Sequence, residues 1–385
     1  MVVAGGILGC SRSSPPPRST NRAVAPLDAA SAGPGAASDA GSGVAASRFQ
    51  VGGRALVASL RPDRSRFMVS EPVYARVVFE AATEPVEVEL SWMGRNSLGR
   101  PENYRLTFRD AQGRSLPVPD PGPQMGGNTW SVTATQDAPV RISLRLATYV
   151  TGLTPGRYTL HLETAVRART PQVRRPPRPG ELPNTVAASQ WQDLAVTLEA
   201  PVEVLADDPA ALGAVIDGLG RRAVADDYDD AREAVTLLGD ARDPRAIPHW
   251  VSVAQYPEYE RRFNALTALR RFDDPRALAA LVRAAATEPT ELPAAGYTNG
   301  ELRAQSARAL RQTAVHGLAE SPCAGAYEAL LARQADPDQE VRLTVLHRVA
   351  RSTGPEAAAL LERFTRDASP TIQAEARRYL AERRR

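Results

Sequence analysis

Residue types that commonly carry out chemistry are few in this 385-residue chain and lie far apart. Its two cysteines, Cys10 and Cys323, are too few for a disulfide framework or a cysteine-rich metal site. It contains no phosphate-binding glycine loop, His-Glu-x-x-His pair or Gly-x-Ser-x-Gly elbow. The four histidines fall in one predicted strand and three predicted helices, at His161, His249, His316 and His347. The sequence therefore predicts no catalytic residue, no metal site and no cofactor.

Two further polar features have simple structural interpretations. The acidic run from Asp226 to Asp230 lacks the alternating ligand spacing of a calcium loop. We expect it at the start of a helix, where carboxylates complement the helix dipole. Cys323 has no nearby histidine in the pattern, which predicts a small buried residue rather than a nucleophile.

Composition excludes several classes of protein. Hydrophobic residues make up 43% and charged residues 24%, which excludes a fully disordered chain. No apolar run reaches membrane-spanning length. All 47 basic residues are arginines, but 44 acidic residues leave a net charge of only +3. This balance predicts no nucleic-acid partner.

The N-terminal ten residues have the pattern of an export signal. Met1 to Gly9 are apolar or small, and Ile7-Leu8-Gly9 leads directly into Cys10. This segment resembles the lipobox of bacterial lipoproteins, although no arginine precedes Arg12 to form a basic n-region. The resemblance implies acylation of Cys10 and a lipid-anchored location in the bacterial cell envelope, at the outer membrane or the periplasmic face. The alternatives are a secreted protein, or an ordinary unstructured terminus with a chance cysteine.

Residues 11–48 are predicted to form a disordered tether. From Ser11 to Ser47, 27 of 37 residues are Ala, Gly, Ser or Pro, and none is aromatic. Such a segment buries too little apolar area to offset the entropy of ordering. A tether of this kind would separate an acylated cysteine from the folded regions.

Residues 49–205 are predicted to form an all-β sandwich. Apolar and polar residues alternate with period two in several short runs, such as Val73 to Phe79, Tyr104 to Phe108 and Val140 to Leu146. Turn residues separate these runs, as in Asp110 to Gly113. Seven or more short strands without a helical pattern favour two packed antiparallel sheets.

Two motifs in this region point to a family. Glu71-Pro72-Val73 near its start and Pro155-Gly156-Arg157-Tyr158 near its end resemble bacterial immunoglobulin-like domains. That resemblance implies a spacer or binding module without chemistry of its own. The segment from Arg169 to Gln190, rich in proline and arginine, is either a solvated hairpin loop or a contact loop for an anionic partner.

Residues 207–385 are predicted to form an all-α solenoid of repeated helix pairs. A small or β-branched residue precedes a leucine or valine by four at intervals of 31 to 41 residues: Ala234, Ala265, Ser306, Val345 and Ala376. Prolines then open the second helices at Pro244, Pro275 and Pro355. Pro322 lies six residues later than this spacing, which indicates an insertion in that turn. Trp250, Leu281, Leu331 and Leu361 form the apolar column of the second helices.

These columns resemble HEAT repeats, in particular the short bacterial form related to phycobilin lyases. The resemblance implies that Arg262, Arg303 and Arg342 link adjacent turns, with Gln373 departing from the pattern. It also implies a protein-binding surface on the second helices. Two positions beyond the second-helix column, Arg283, Arg333 and Arg363 should point to solvent and could contact an acidic partner, beneath a loop carrying Tyr297. The structural alternative is a solvated helix face balanced by nearby carboxylates.

Two functional hypotheses follow from these features. The first is a non-enzymatic, lipid-anchored scaffold or adaptor that binds proteins through the repeats. The second is a regulator or inhibitor of an envelope enzyme, or a lyase-like enzyme by analogy with chromophore-attaching HEAT proteins. The missing catalytic motifs and the predicted export favour the first hypothesis. The identity of the partner and the oligomeric state cannot be inferred from these patterns.

Overall fold

The computed structural model describes residues 46–91, 95–96, 100–101, 103–120, 122, 124–125, 129–171, 190–288, 292 and 300–383. The strands come first in the chain and the helices second. The strands are β1 Ala46–Val51, β2 Arg54–Pro62, β3 Arg66–Met68, β4 Tyr74–Ala81, β5 Val86–Ser91, β6 Arg95–Asn96, β7 Tyr104–Arg109, β8 Gln124–Met125, β9 Thr129–Ala134, β10 Val140–Arg145, β11 Gly156–Arg169 and β12 Gln192–Leu205. The helices are α1 Pro209–Ala223, α2 Tyr228–Leu238, α3 Ile247–Val253, α4 Tyr259–Leu269, α5 Pro275–Ala285, α6 Gly300–Glu320, α7 Ala326–Leu331, α8 Gln339–Ala350, α9 Pro355–Phe364 and α10 Pro370–Arg383.

Two sheets make up most of the β region. One has the strand order β1-β2-β4-β10, and the other has the order β3-β12-β11-β5-β9, with β7 also pairing with β11. The long strands β11 and β12 form an antiparallel hairpin across thirteen residue pairs, from Gly156↔Val204 to Ala168↔Gln192. The predicted arrangement was antiparallel throughout, but β3 pairs with β12 in parallel. β3 lies near the start of the β region and β12 lies at its end. Because no hairpin turn joins these two strands, they are not required to be antiparallel.

The β core consists of the side chains that the alternation predicts. Val73, Ala75, Val77 and Phe79 are buried, and so are most of the corresponding side chains of β7, β10, β11 and β12, with Ile142 on β10 only partly buried. The predicted turn from Asp110 to Gly113 is present: Gly113 has φ +77°, and the Asp110 carboxylate accepts from the backbone N–H groups of Gln112 and Arg114. β1 begins at Ala46, ahead of the predicted boundary, because its whole length pairs with β2.

The helices stack as successive pairs. Each first helix packs on the first helix of the following pair, along α2, α4, α6, α8 and α10, while α3 packs on α5. α1 packs on both helices of the first pair, as a half repeat would. No helix in the described part of the chain is both long and apolar enough to cross a membrane.

The β region and the first helices share a packed interface. Met68 and Tyr74 are buried in the core cluster of the helices rather than in that of the sheets. Arg76 on β4 forms an ion pair with Glu233 on α2, and Arg145 on β10 pairs with Asp240 at 2.9 Å. The Ser70 hydroxyl also donates to Asp207 at 2.6 Å. At the transition from strands to helices, at about residue 206, two side chains of the β region therefore belong to the helical core.

Candidate functional site

The repeat columns fix how the helices lie against one another. Ala234, Ala265, Val345 and Ala376 are fully buried, and the leucine or valine four residues later is also buried in the first four helices of the series. Ser306 is half-buried and Ala307 is the buried small residue of α6. Small side chains at these positions let neighbouring helices approach closely.

An aspartate followed by a proline begins three helical segments: α1, α5 and the short 3-10 segment Pro244–Ala246 that leads into α3. Pro209, Pro244 and Pro275 occupy first-turn positions, where a missing N–H costs nothing. The preceding aspartates cap these segments, since Asp243 accepts from the Arg245 N–H and Asp274 from the Arg276 N–H. Pro355 also opens α9 as predicted, although Gly354 before it gives no side-chain cap.

The prediction for Pro322 was wrong. α7 begins only at Ala326, after a turn in which Gly325 has φ +86°. The additional residues do not form an insertion in the turn, because α6 continues through them to Glu320. An amphipathic extension of α6 that buries Ala314, Val315 and Leu318 accounts for the longer spacing.

One predicted turn-linking arginine has the expected role. Arg342 donates to the carbonyl oxygens of Asp336 and Pro337 and forms a bidentate ion pair with Asp367. These hydrogen bonds hold the pKa of the Asp367 carboxyl below its ordinary value. Gln373, where we expected a departure, donates to the carbonyl of Asp367, six residues before it, as Arg342 does to Asp336. The last repeat therefore keeps the backbone link and loses only the charge.

In α4, Arg261, next to the predicted Arg262, links to the turn after α1 in the preceding repeat. The buried Arg261 donates to the carbonyls of Ala223 and Ala225, and its guanidinium lies 4.3 Å from the ring centroid of Tyr256. The acidic run before α2 is also structural. Asp227 caps the helix by accepting from the Asp230 N–H, and Asp230 pairs with Arg222.

The predicted arginine row is only partly on helices. Arg283 and Arg363 are exposed and lie in the last turns of α5 and α9. Arg333 is half-buried in the turn after α7. The predicted apolar column placed Leu331 inward, but Leu330 is the fully buried residue of α7 and Leu331 is only partly buried. The predicted helix register was therefore wrong by one residue at this position. Tyr297 and Cys10 lie outside the described residues.

Arg283 and Arg363 differ from many arginines around them. Carboxylates pair with Arg222, Arg232, Arg276, Arg342 and Arg378, among others. Within the described residues, neither Arg283 nor Arg363 has a carboxylate within 4.0 Å. Their charge complements the helix C-terminus, but it remains available for an external anion.

The first helices carry an apolar surface that the sequence analysis missed. Three of the exposed large hydrophobic residues in the described segments are Tyr228 on α2, Phe263 on α4 and Leu302 on α6. The ring of Phe263 lies 6.0 Å from that of Tyr259. Phe263 is two positions before the buried Ala265, so the 100° rotation per residue would have placed it outward.

The remaining reactive residues lie in structural surroundings. Cys323 is buried, as predicted, and both burial and the nearby Asp273 raise the pKa of its thiol. Burial lowers the pKa of His347, whose ring packs edge-on against Tyr379. Across the described residues, no three His, Cys, Asp or Glu side chains come together as a metal-binding group.

Comparison with known families gives one match. Residues 216–296 match the family HEAT_2, described as HEAT repeats. This range extends from within α1 past the end of α5, so it includes the first two helix pairs. The search of curated proteins found no match. The chain thus has a β-sheet region followed by helices that include HEAT repeats.

Proposed function

We propose that this protein is a non-enzymatic adaptor that binds another protein through the outer surface of its helical repeats. The observation that carries the proposal is the stacked series of helix pairs with its HEAT-repeat match at residues 216–296. HEAT repeats are generally protein-interaction modules, and their stacking exposes a long continuous surface.

The proposed contact surface is the arginine pair Arg283 and Arg363, with Arg333 and the Tyr297 loop as flanking contributors. Exposed guanidinium groups without a carboxylate partner can form bidentate hydrogen bonds with the carboxylates of another protein. The partner would therefore present acidic side chains to this face. The role of the β region would be that of an immunoglobulin-like spacer.

Two features support the immunoglobulin-like assignment. Tyr158 at the start of β11 donates from its hydroxyl to the carbonyl of Thr154 at 2.9 Å, which is the bond of a tyrosine corner. β3 pairs with β12 in parallel beside an otherwise antiparallel arrangement. The resemblance to immunoglobulin-like domains favours a spacer or binding module for this region.

The contact surface can be tested by cross-linking and charge reversal. A photo-cross-linking residue placed at 283 or 363 should give one shared adduct in intact cells, whereas placement at the exposed Arg221 and Arg377 should not. Arg283→Glu with Arg363→Glu should abolish capture of the protein found in that adduct, and should lower the helical melting temperature only slightly, through the loss of favourable charge at two helix C-termini. Arg221→Glu with Arg377→Glu makes the same change in charge elsewhere and should leave capture intact. Equal capture by both double variants would exclude the arginine face.

We further propose that a lipid on Cys10 holds the protein in the bacterial cell envelope. The support is the apolar run into Leu8-Gly9-Cys10 and the low-complexity segment behind it. Cys10→Ser should release the protein from membranes and abolish labelling by a fatty-acid precursor. A Cys323→Ser variant is the control for thiol loss and should keep both properties. Membrane retention and labelling of Cys10→Ser would contradict the anchor.

A further inference from the structure

A cleft lies where the β region meets the first helices, and we call it the junction cleft. Its β side is formed by Val69 and Glu71 after β3 and by residues 145–153 at the end of β10 and beyond. Its helical side is formed by residues 239–242 after α2 and by Arg271 after α4. The cleft has a volume of about 650 Å³, within the range of small-molecule sites.

Three arginines line the junction cleft, and two of them have no ion-pair partner among the described residues. Arg145 is paired with Asp240 at 2.9 Å. Glu71, the other acid of the lining, is paired with Arg64 at 3.0 Å and accepts from the Met68 N–H. Arg271 instead donates to carbonyl oxygens, those of Gly239 at 2.9 Å and Ala268 at 3.3 Å. Within the described residues, neither Arg242 nor Arg271 has a carboxylate within 4.0 Å.

The two arginines also act on each other. Burial lowers the pKa of Arg271 and the positive charge of Arg242 lowers it further, while the nearby Asp240 carboxylate raises it in part. Two like charges held near a partly desolvated surface destabilise each other until an anion lies between them. Asp240 attracts both guanidinium groups, but its bonded oxygen accepts from Arg145 and its other oxygen is wholly buried, so it forms an ion pair with neither Arg242 nor Arg271 among the described residues.

Much of the remaining wall of the cleft is apolar, although Thr148 and Thr151 also line it. Val69, Val150 and Leu153 are half-buried beside the buried Leu146. An inorganic ion would leave this wall in contact with water, whereas an organic anion would cover it and gain from burial of apolar area. We propose that the junction cleft binds a small organic oxyanion, a carboxylate or phosphate monoester on an apolar group, between Arg242 and Arg271. Neither Arg283 nor Arg363 lines the cleft, so this site is separate from the proposed protein-contact surface.

The test is a calorimetric titration of the full chain with four probes: hexanoate, hexyl phosphate, inorganic phosphate and hexanol. Hexanoate and hexyl phosphate should bind with one site per chain, and the stronger of the two identifies the head group. Inorganic phosphate and hexanol should bind about tenfold more weakly or not at all, because each lacks one half of the ligand. Binding of inorganic phosphate as tight as that of both organic anions, or no binding of either organic anion, would overturn the proposal.

Variants locate the site and separate it from the fold. Arg242→Glu should weaken binding of the tighter organic anion by about tenfold or more, since it replaces a charged donor with a repelling acid. Arg242 makes no ion pair among the described residues, and its replacement removes a repulsion of Arg271, so the melting temperature should not fall. Arg221→Glu on α1 carries the same change in charge at an exposed site and should bind as the unaltered chain does. Leu153→Asp should also abolish binding, and full binding by Leu153→Asp and Arg242→Glu would place the site elsewhere.

Discussion

The β region and the helical repeats achieve burial in different ways. The β core is built from large side chains on strands that are distant in the chain, such as Phe79 on β4 and Phe108 on β7. The helical core is built from alanine and leucine columns on helices that follow one another. Long-range pairing has to form as a whole, whereas a stack of helix pairs gains stability from each neighbouring interface. The two regions should therefore respond differently to the loss of one core side chain.

The two regions are not fully separate, because side chains of the β region pack into the helical core at their interface. β4 is buried on both faces: Phe79 lies in the sheet core, but Tyr74 on the same strand lies in the helical core. Burial raises the pKa of Tyr74 to about 12, so its hydroxyl stays protonated at physiological pH. A single strand thus provides matched positions for testing each core.

The largest effect should come from Phe79→Ala. Removing this fully buried ring leaves a cavity in the sheet core and should cost about 3–5 kcal/mol. Because the sheets form one cooperative unit, hydrogen exchange should speed up across β2, β4, β10, β11 and β12 together. Helices α6 to α10 should keep their protection. Loss of protection confined to β4 would contradict a cooperative sandwich.

Tyr74→Ala should act mainly on the helices, although it alters a strand. We expect a loss of about 3 kcal/mol and faster exchange in α1, α2 and α3, whose core cluster contains this ring. Phe79 and Tyr74 are both buried aromatic residues on β4, so the two variants differ mainly in which core loses a ring. If both variants loosen the same segments, the two cores are a single unit, and residues 207–385 should then fail to fold alone. If only Tyr74→Ala loosens the helices, the isolated repeats should give a helical circular-dichroism spectrum with a lowered melting temperature.

These positions also show what the sequence could and could not predict. Period-two alternation identified the side of β4 that carries Phe79, because burial against the second sheet follows from the pattern alone. The same alternation places Tyr74 and Arg145 on the solvent side. Both are covered because α2 and the turn after it pack there, a contact between regions that no local pattern encodes. The junction cleft was missed for this reason.

Within the helices, the errors occur where the repeat spacing changes. Leu330 and Leu331 are both apolar, so only the position of the turn before α7 decides which one is buried. That turn was misplaced because the extension of α6 contains the weak helix formers Thr313, Val315 and Gly317, and the helix nevertheless continues through them to Glu320. The buried column of first helices was correct at Ala265 and Ala376, where the spacing is regular.

A smaller effect should follow from overpacking a single helical interface. Ala376 on α10 is fully buried, and Ala376→Leu should cost about 1–3 kcal/mol because the neighbouring helix cannot move away freely. The cost should fall on the last helices, with increased exchange in α8, α9 and α10 alone. Ala374→Leu adds the same volume at an exposed site of the same helix and should change the free energy of unfolding by less than about 0.5 kcal/mol. Increased exchange in the sheets of Ala376→Leu would contradict nearest-neighbour stability.

The smallest effect tests the charged link between the last two repeats. Asp367 accepts from Arg342 and from the Ser369 N–H, and the pKa of its carboxyl is lowered by these bonds. A lowered pKa in the folded state means that the unfolded chain takes up the proton first as the pH falls. The contribution is therefore complete above the ordinary aspartate pKa and is lost as the pH falls through the lowered value. Asp367→Asn keeps one of the two acceptor oxygens, removes the charge and loses one hydrogen bond from Arg342, so we expect a loss of about 1 kcal/mol at pH 7.

The loss in Asp367→Asn should shrink as the pH falls below about 4. Urea midpoints measured between pH 7 and pH 2.5 would show the two curves converging at the acid end. Glu356→Gln, an exposed acid in the first turn of α9, should run nearly parallel to the unaltered chain. Gln373 already makes the backbone link of this turn without charge. A constant difference at every pH would mean that the Arg342–Asp367 pair acts through its shape, and that charge adds nothing to the stacking of these repeats.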